Sequence, residues 1–530
     1  MLERIKCFMT KTLTTNNELF KTTFFTTMIV GFITHGFFFA NLYYIHDNAS
    51  AAVPVEQSFM GLGAPGGRWL SDYVHLITLD VRLPWLGGII GIILVAFATY
   101  FICDYLRIQN FIAVILLCCV CVANRTLIFS NMFGGLYGFT IALLFASSSL
   151  HFFKKGGKGN YLLSIMCATA ALSTYGTYVM VMSGIMVFGI ALDILDGHTF
   201  LTNLKKIGLI VFLHLSALFL YIVCNNTVLI IFGRQYISYN GRENIQSFEK
   251  IKRSLFDNIS NTYVKSVKRI FRYQINGLEP AVLVRAIVSL ALIALVIVVI
   301  ERWRIIQDKT INLILFLICV FAFPISLNYV ELIMSMHFLM DYSYIVVIIA
   351  AIKLFSMIDF KGCPAKSYCV ISYFLIWVLA YYNILVANMA YVHLDDMYRN
   401  TVSLGTRIID RIETCEGYDG TEQVVLIGDI LHNTYYNTQH TVGMPGLDDD
   451  MYFLSKERQH VISENGLTVY FLYHSLGAPM DFKSYLTTDD LINSDSIHIT
   501  NQKEIENMPE FPCDGSVIKR GDIIFAKISQ

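Results

Sequence analysis

The sequence predicts an α-helical polytopic membrane protein that carries a small α/β domain in its C-terminal part. Hydrophobic residues make up 55% of the 530 residues, charged residues only 15%, and the mean hydropathy is +0.56. A soluble domain of ordinary composition contains about 25% charged residues. Apolar stretches long enough to cross ~30 Å of hydrocarbon recur along the first three quarters of the chain.

About eleven transmembrane helices are predicted from these stretches, at a rise of ~1.5 Å per residue. The stretches are 23–45, 86–104, 111–123, 134–153, 161–174, 177–195, 207–232, 281–300, 311–328, 334–355 and 367–391. The first is too long for a signal peptide and no small-residue cleavage site follows it, so we expect it to remain as a helix. An odd number of spans places the two termini on opposite sides of the membrane.

Basic residues concentrate in one set of alternate loops. Sixteen Lys and Arg residues fall in that set, whereas the opposite short loops contain only Arg68, Arg82 and Arg125. The positive-inside rule then predicts a cytoplasmic N-terminus. The loop 46–85 and everything after residue 392 are expected on the outer side, as is the loop 233–280, although that loop is itself basic.

The composition changes near residue 396, which predicts a transmembrane domain over 1–395 and a separate α/β domain over 396–530. A helix near 395–413 leads into the second domain. Short apolar runs there predict strands at 423–428, 468–472, 496–499 and 522–527.

The cysteines do not form a zinc motif. Most of the 12 lie in apolar spans, where a thiol behaves as a small hydrophobic group. We predict no metal site and no tightly bound cofactor, and the sequence does not decide whether a divalent metal takes part. Cys415 and Cys513 are the only cysteines of the outer domain, so an oxidising compartment predicts a disulfide between them. Two unrelated buried thiols are the alternative.

The loop 233–280 contains nine basic and four acidic residues. Its apolar residues recur at helical spacing from Ile251 to Ile270, which predicts one or two amphipathic helices on the lipid surface. Two roles are open for this segment. It can anchor the protein to anionic headgroups, or it can take part in holding a phosphate group.

The first outer loop contains the residues that best indicate chemistry. Glycosyl transfer from a lipid phosphate needs a base for the acceptor hydroxyl, cations for the departing phosphate and a groove open to lipid. Asp47 lies just after the first span and is the expected general base. Arg68 is the expected contact to the donor phosphate, with Arg82 and Arg125 as further candidates. Net charge of -1 gives no overall attraction for nucleic acid.

Other titratable residues are candidates for accessory roles at the same site: His46, Glu56, Asp72, His75 and Asp341. Asp341 falls within a predicted span, where an acidic residue usually has a partner or a function. Each assignment has a structural alternative. Asp47 can cap a helix, Arg68 can extend to lipid headgroups, and the histidines can be satisfied within the fold.

Several of these features together resemble the GtrII-type glucosyltransferase family. They are the acidic residue after the first span, the turn Gly66–Trp69, the segment Ala171–Tyr178 and an outer domain that opens with Val424–Gly428. The resemblance implies a GT-C-like architecture in the bacterial inner membrane. It also implies inverting transfer of a sugar, usually glucose, from undecaprenyl phosphate to a lipid-linked O-antigen polysaccharide on the periplasmic face.

The chain departs from the family pattern at two places. Members commonly have paired acidic residues where this chain has His46-Asp47-Asn48. A basic residue expected late in the membrane part is also replaced, since Met336-His337-Phe338 and Asp341 occupy that region.

Two other functions are compatible with a polytopic membrane protein. An oligosaccharide polymerase would use a similar outer site and join longer saccharides. A transporter or lipid flippase should show two related halves with interrupted helices that meet near the midplane. The sequence shows neither, which favours the transferase.

Overall fold

The computed structural model of the protein describes most of the chain, as residues 11–41, 43, 63–75, 83–132, 136–237, 248–272, 281–332, 338–358, 363–429, 433, 435, 469, 471–494 and 502–529. The chain forms two compact units. The first consists of residues 1–41, 55–275 and 279–388, and the second contains 389–530 with two short segments, 42–54 and 276–278.

The first unit is helical and confirms the predicted fold class. Its first eight helices are α1 (Asn16–Phe39), α2 (Trp69–His75), α3 (Pro84–Leu106), α4 (Phe111–Val122), α5 (Arg125–Met132), α6 (Leu136–Lys155), α7 (Lys158–Tyr175) and α8 (Val179–Leu195). The later helices are α9 (Phe200–Ile231), α10 (Phe248–Arg272), α11 (Ala281–Arg302), α12 (Lys309–Ser326), α13 (Ile345–Met357) and α14 (Cys363–Glu413), and the part of α14 from residue 389 belongs to the second unit.

Ten stretches in the described part of the chain are long and apolar enough to cross a membrane. One of them, Lys158–Leu195, is broken by a 3₁₀ turn at Gly176–Tyr178. Tyr161 near the start of α7 and Asp196 just after α8 line the same cleft, so the chain reverses direction at this turn. The stretch therefore accounts for two of the eleven predicted spans.

Helix ends and surfaces follow from local sequence. Thr15 and Glu18 form a reciprocal capping box at the start of α1. Apolar side chains of α9 point outward, and Phe212, Leu215 and Phe219 remain 61%, 62% and 66% exposed. Such a contiguous exposed apolar surface is typical of helices that face lipid.

The amphipathic segment predicted within 233–280 forms a single helix, α10, over the described residues. Thr262, Ser266 and Ile270 are buried at intervals of four residues along it. One face of α10 is thus packed against the protein.

The second unit contains a four-stranded sheet in the order β2-β1-β4-β3, formed by β1 (Gln423–Ile427), β2 (Asp481–Tyr485), β3 (Val517–Arg520) and β4 (Ile523–Lys527). β1 pairs in parallel with β2 and β4, and β3 pairs antiparallel with β4. The second unit also contains two short helices, α15 (Thr488–Ile492) and α16 (Gln502–Glu506). Both faces of β1 are buried, which explains its continuous apolar run.

The strand predictions are partly right. The runs 423–428 and 522–527 form β1 and β4, whereas Phe471–Ser475 forms a helical turn where a strand was predicted. Leu472 is buried there against the apolar core. An apolar run of this length fits either a strand or a helical turn, and tertiary packing decided between them. The predicted strand 496–499 lies outside the described residues, and β2 and β3 were not predicted.

The predicted disulfide is wrong, because Cys415 and Cys513 are both free thiols. The Cys513 thiol instead lies 3.0 Å from the Tyr435 hydroxyl oxygen. Two cysteines alone in a domain are a weak signal for a bond, because the fold must also bring their Cα atoms within about 7 Å.

Candidate functional site

Arg68 is positioned by a tight turn that precedes α2. Its backbone N–H donates to the carbonyl of Gly63 at 2.7 Å. Gly67 has a φ of +75°, and a Cβ atom at this position would lie 2.5 Å from the Tyr221 hydroxyl. The same hydroxyl donates to the Gly67 carbonyl at 2.9 Å. Glycine is therefore required here, and the turn fixes the point from which the Arg68 side chain leaves the backbone.

The guanidinium group of Arg68 lies over an aromatic ring. Its Cζ atom is 5.8 Å from the centroid of Tyr175, the last residue of α7. The Nε atom of Arg68 is buried and has no hydrogen-bond acceptor among the described residues. A buried donor without an acceptor costs free energy unless a ligand supplies one. An anionic oxygen would supply it.

A row of tyrosines leads away from Arg68. The Tyr175 and Tyr178 rings are 5.9 Å apart, and the Tyr178 and Tyr342 rings are 5.3 Å apart. Tyr342 is fixed by a 3.0 Å hydrogen bond from its hydroxyl to the carbonyl of Cys121. The row joins the turn between α7 and α8 to the 3₁₀ segment Phe338–Tyr344, which contains Asp341.

Asp341 belongs to an ion-pair network with α10. Its Oδ1 accepts a hydrogen bond from Nη1 of Arg269 at 3.2 Å, and the same nitrogen is 3.5 Å from Glu331. Lys265, one helical turn before Arg269, donates to Glu331 at 2.8 Å. Asp341 is 7% exposed, so its charge needs such a partner. This pairing agrees with the sequence prediction that Asp341 has a partner or a function.

The pKa values of the network follow the pairing. Burial opposes ionisation of Glu331, but hydrogen bonds from Lys265 and Asn328 outweigh it and lower its pKa below the ordinary value. Burial likewise disfavours the charged form of Arg269, yet the nearby Asp341 carboxylate raises its pKa overall. Both groups are therefore charged at neutral pH.

Arg125 lies at the first position of α5 and is only 2% exposed. Asn124 precedes it and caps the helix, since its Oδ1 accepts the Thr126 N–H at 2.9 Å. The Arg125 guanidinium carbon is 5.9 Å from the centroid of Tyr382. Helix α5 packs against the segment Phe338–Tyr344, so Arg125 and Asp341 lie on neighbouring elements.

Comparison with known families identifies the first unit. The family model described as Glucosyl transferase GtrII matches residues 36–375. The chain belongs to this family. It is therefore a glycosyltransferase with membrane-spanning helices, as the sequence features predicted. A search of curated proteins finds no match to the chain.

The GtrII family match covers all the predicted site residues, but the structure places only some of them. Arg68, Arg125, Asp72 and Asp341 are described. Asp47, His46, Glu56 and Arg82 lie outside the described residues. Asp47 as the general base therefore stays a prediction in this GtrII-family enzyme, as does Arg82 as a phosphate contact.

Asp72 supports the Arg68 turn. Its Oδ2 accepts the backbone N–H of Ala64 at 3.1 Å. A Cβ atom added to Gly63 would lie 2.0 Å from the Asp72 carboxylate, so the two are in close contact. His75 is the last residue of α2, and its side chain is outside the described part.

Sequence reasoning missed the role of the tyrosine row and of Arg269. The segment 171–178 was noted for its resemblance, without a role for Tyr175 or Tyr178. In the sequence, Arg269 and Lys265 are two of the nine basic residues of the loop 233–280. Their spacing of four residues places both on one helix face, and this was the available signal that they share a partner.

Proposed function

We propose that this glycosyltransferase moves a hexose, glucose, from undecaprenyl phosphate to a lipid-linked O-antigen or another cell-surface polysaccharide. The transfer takes place at the periplasmic face of the bacterial inner membrane. The observation that carries the proposal is the guanidinium of Arg68, held over Tyr175 with a buried N–H that lacks an acceptor among the described residues.

The position of the basic residues supports the assignment of the face. Arg107 after α3, Arg302 at the end of α11 and Lys353 in α13 meet around Asp196, with Arg107 and Arg302 at 3.4 and 3.2 Å from its carboxylate. The positive-inside rule assigns such an end to the cytoplasm. Helix α7 begins at this basic end, and Arg68 contacts Tyr175 at the other end of the helix. The 18 residues of α7 separate its two ends by ~27 Å.

The chemistry of Arg68 suits a lipid phosphate. A guanidinium offers several N–H donors in a planar array that matches phosphate oxygens. The phosphate gains negative charge as the bond to the sugar breaks, so a cation next to it stabilises the transition state. Arg125, buried on a neighbouring helix, is the second candidate for this role.

The proposed reaction is a single displacement at the sugar C1 atom. A hydroxyl oxygen of the acceptor forms a bond to C1 while the bond between C1 and the phosphate oxygen breaks. Asp47 accepts the hydroxyl proton, and the leaving group is undecaprenyl phosphate. The configuration at C1 is inverted.

Transfer by the purified protein tests this function. Undecaprenyl-phosphate [14C]glucose is incubated with the enzyme and a lipid-linked O-antigen acceptor. Arg68→Ala should raise the half-saturation concentration for the donor and lower turnover, with a combined loss of about tenfold to a hundredfold for a lost charged hydrogen bond.

The matched control is Arg234→Ala, because Arg234 is an exposed arginine after α9 with no ion pair among the described residues. It should transfer at the parental rate. Equal loss in both variants, or full activity in Arg68→Ala, would reject the phosphate contact. Absence of transfer from any polyprenyl-phosphate sugar would reject the donor class, and addition of many sugar units would indicate a polymerase.

A further inference from the structure

A second polar site lies at the end of the first unit opposite Arg68. An open cleft of about 380 Å³ is bounded by the ends of α3, α6 and α8 and by the starts of α7 and α9. Its lining contains five cationic side chains, and these are Arg107, Lys154, Lys205, Lys206 and Lys353. The transfer reaction proposed above uses none of them.

The cleft has more positive than negative charge. Asp193 and Asp196 are the acidic residues of its lining, against five cations. Lys206 pairs with Asp193, Arg107 with Asp196, and Lys154 with Asp104 beside the cleft. Two lining cations, Lys205 and Lys353, make no ion pair among the described residues. A concave cationic site between apolar helices concentrates its electric field and attracts anions.

Lys353 lines the cleft, and a hydrogen bond to the backbone fixes its side chain there. It extends from α13 to donate to the backbone carbonyl of Arg107 at 3.2 Å. That contact uses one of its three N–H donors and neutralises none of its charge. An anionic oxygen in the cleft would complete its hydrogen bonding.

The cleft adjoins an apolar outer surface. Leu209 of α9 lines it and is 38% exposed. Tyr161 of α7 also lines it, and the neighbouring Leu162 and Met166 are 57% and 55% exposed. A ligand bound here therefore meets cations at one end and apolar helix surface at the other, which is the polarity of a membrane lipid.

We propose that this cleft binds the phosphate-bearing headgroup of an anionic membrane lipid, whose hydrocarbon chains lie along α7 and α9. Basic pockets between transmembrane helices suit such headgroups because lysine and arginine donate charge-assisted hydrogen bonds to phosphate oxygens. The orientation proposed above places this lipid in the cytoplasmic leaflet. The lipid is separate from the sugar donor, which binds at the Arg68 end.

Native mass spectrometry of the delipidated full-length protein tests the site. Dioleoyl-phosphatidylglycerol is titrated in parallel with dioleoyl-phosphatidylcholine, which has the same chains and no net charge. The parent protein should retain phosphatidylglycerol about tenfold more tightly. The double variant Lys205→Gln/Lys353→Gln should weaken its binding by about tenfold or more, since each cation near a phosphate contributes about fivefold.

The control variant Lys158→Gln/Lys309→Gln removes the same charge from the starts of α7 and α12, outside the cleft lining. Its binding should stay within about twofold of the parent, because these lysines do not line the cleft. Equal weakening in both double variants would overturn the site, as would equal binding of the two lipids. Displacement of phosphatidylglycerol by inorganic phosphate would overturn the lipid as ligand and assign the cleft to free phosphate. Transfer activity reports on the Arg68 site independently.

Discussion

Arg68 and Asp341 are both charged residues near the tyrosine row, and they differ in what surrounds them. Asp341 has Arg269 at 3.2 Å, so its charge is already compensated within the protein. Arg68 has the Tyr175 ring and a buried N–H without an acceptor among the described residues. Arg68 is therefore the better candidate for binding an anionic ligand, and Asp341 is better explained by its ion pair.

Asp47 is the expected general base of the proposed transfer reaction, and its substitution tests that role. Asp47→Asn keeps the shape of the side chain and removes its basicity, so we expect glucosyl transfer to fall by about a hundredfold or more. Binding of the donor should change little. The measurement is turnover with purified protein at saturating donor.

Asp72→Asn is the matched control for this experiment. The Asp72 carboxylate accepts a backbone N–H from Ala64, and an amide oxygen can accept the same bond. Near-normal transfer is expected. Activity of Asp47→Asn would exclude Asp47 as the base. Asp72 would then be the next candidate if Asp72→Asn were inactive, and Glu56 if both variants were active.

Helix α10 shows what an amphipathic element can do beyond lying on a lipid surface. Its predicted roles were headgroup anchoring or phosphate binding. Over the described residues, Lys265 and Arg269 pair with Glu331 and Asp341. The helix is thereby fixed over the two 3₁₀ segments Tyr329–Leu332 and Phe338–Tyr344.

Loss of this pairing should destabilise the first unit. Arg269→Ala leaves the buried Asp341 without its charged partner, at a cost of ~2 kcal/mol, reduced from the value for a fully buried pair because Arg269 is partly exposed. The melting temperature in detergent should fall by several degrees. Lys268→Ala, at the exposed neighbouring position, should leave it unchanged. Equal melting of the two variants would show that the network contributes no stability.

The sheet of the second unit contains an acid-sensitive contact. Glu422 precedes β1 and accepts hydrogen bonds from Lys519 of β3 and from the backbone of Asp419. The bond from Lys519 lowers the pKa of Glu422 to about 2, from an ordinary value of 4.5. A carboxyl with a lowered pKa stabilises the fold above its unfolded pKa, and this contribution disappears as pH falls from about 4.5 to about 2.

Hydrogen exchange of β1 and β3 in the full-length protein measures this effect. Exchange should accelerate between pH 4.5 and pH 2 beyond the intrinsic pH dependence of amide exchange. Glu422→Gln should remove this acceleration and also raise exchange at neutral pH. Glu413→Gln, at the exposed end of α14, should behave as the parent. A parental profile for Glu422→Gln would exclude the contact as its cause.

For the whole molecule, the reversal at Gly176–Tyr178 determines which helix ends share a side. It returns α8 to the basic end at which α7 begins, so the cations after α3 and in α13 gather around Asp196. This arrangement separates the basic end from the Arg68 turn by the length of α7. The proposed transfer site and the proposed lipid site consequently lie on opposite faces.

Cysteine labelling of intact cells tests this topology. A membrane-impermeant maleimide should label Gln235→Cys, which is exposed after α9, and should leave Lys155→Cys unlabelled until the membrane is opened. Signals are compared with the parent protein, because the chain has 12 cysteines of its own. The reverse pattern would place the Arg68 turn in the cytoplasm and exclude a periplasmic reaction.

The sequence by itself determined the membrane class, the span positions and the α/β character of the second unit. Long runs of apolar side chains are unfavourable in water and are stable within a membrane. The continuous apolar runs of β1 and β4 are typical of strands that are buried on both faces. It also provided the family resemblance, which the match over residues 36–375 confirms. These features depend on local composition and periodicity, which one sequence displays.

Only the tertiary structure decided which charges meet. The pairing of Arg269 with Asp341 joins residues 72 positions apart, and Arg68 reaches Tyr175 across a longer separation. The free thiols of Cys415 and Cys513, and the helical turn at Phe471–Ser475, were decided in the same way. The physical reason is that a charge, a thiol or a short apolar run has several low-energy partners, and the packing of distant segments selects among them.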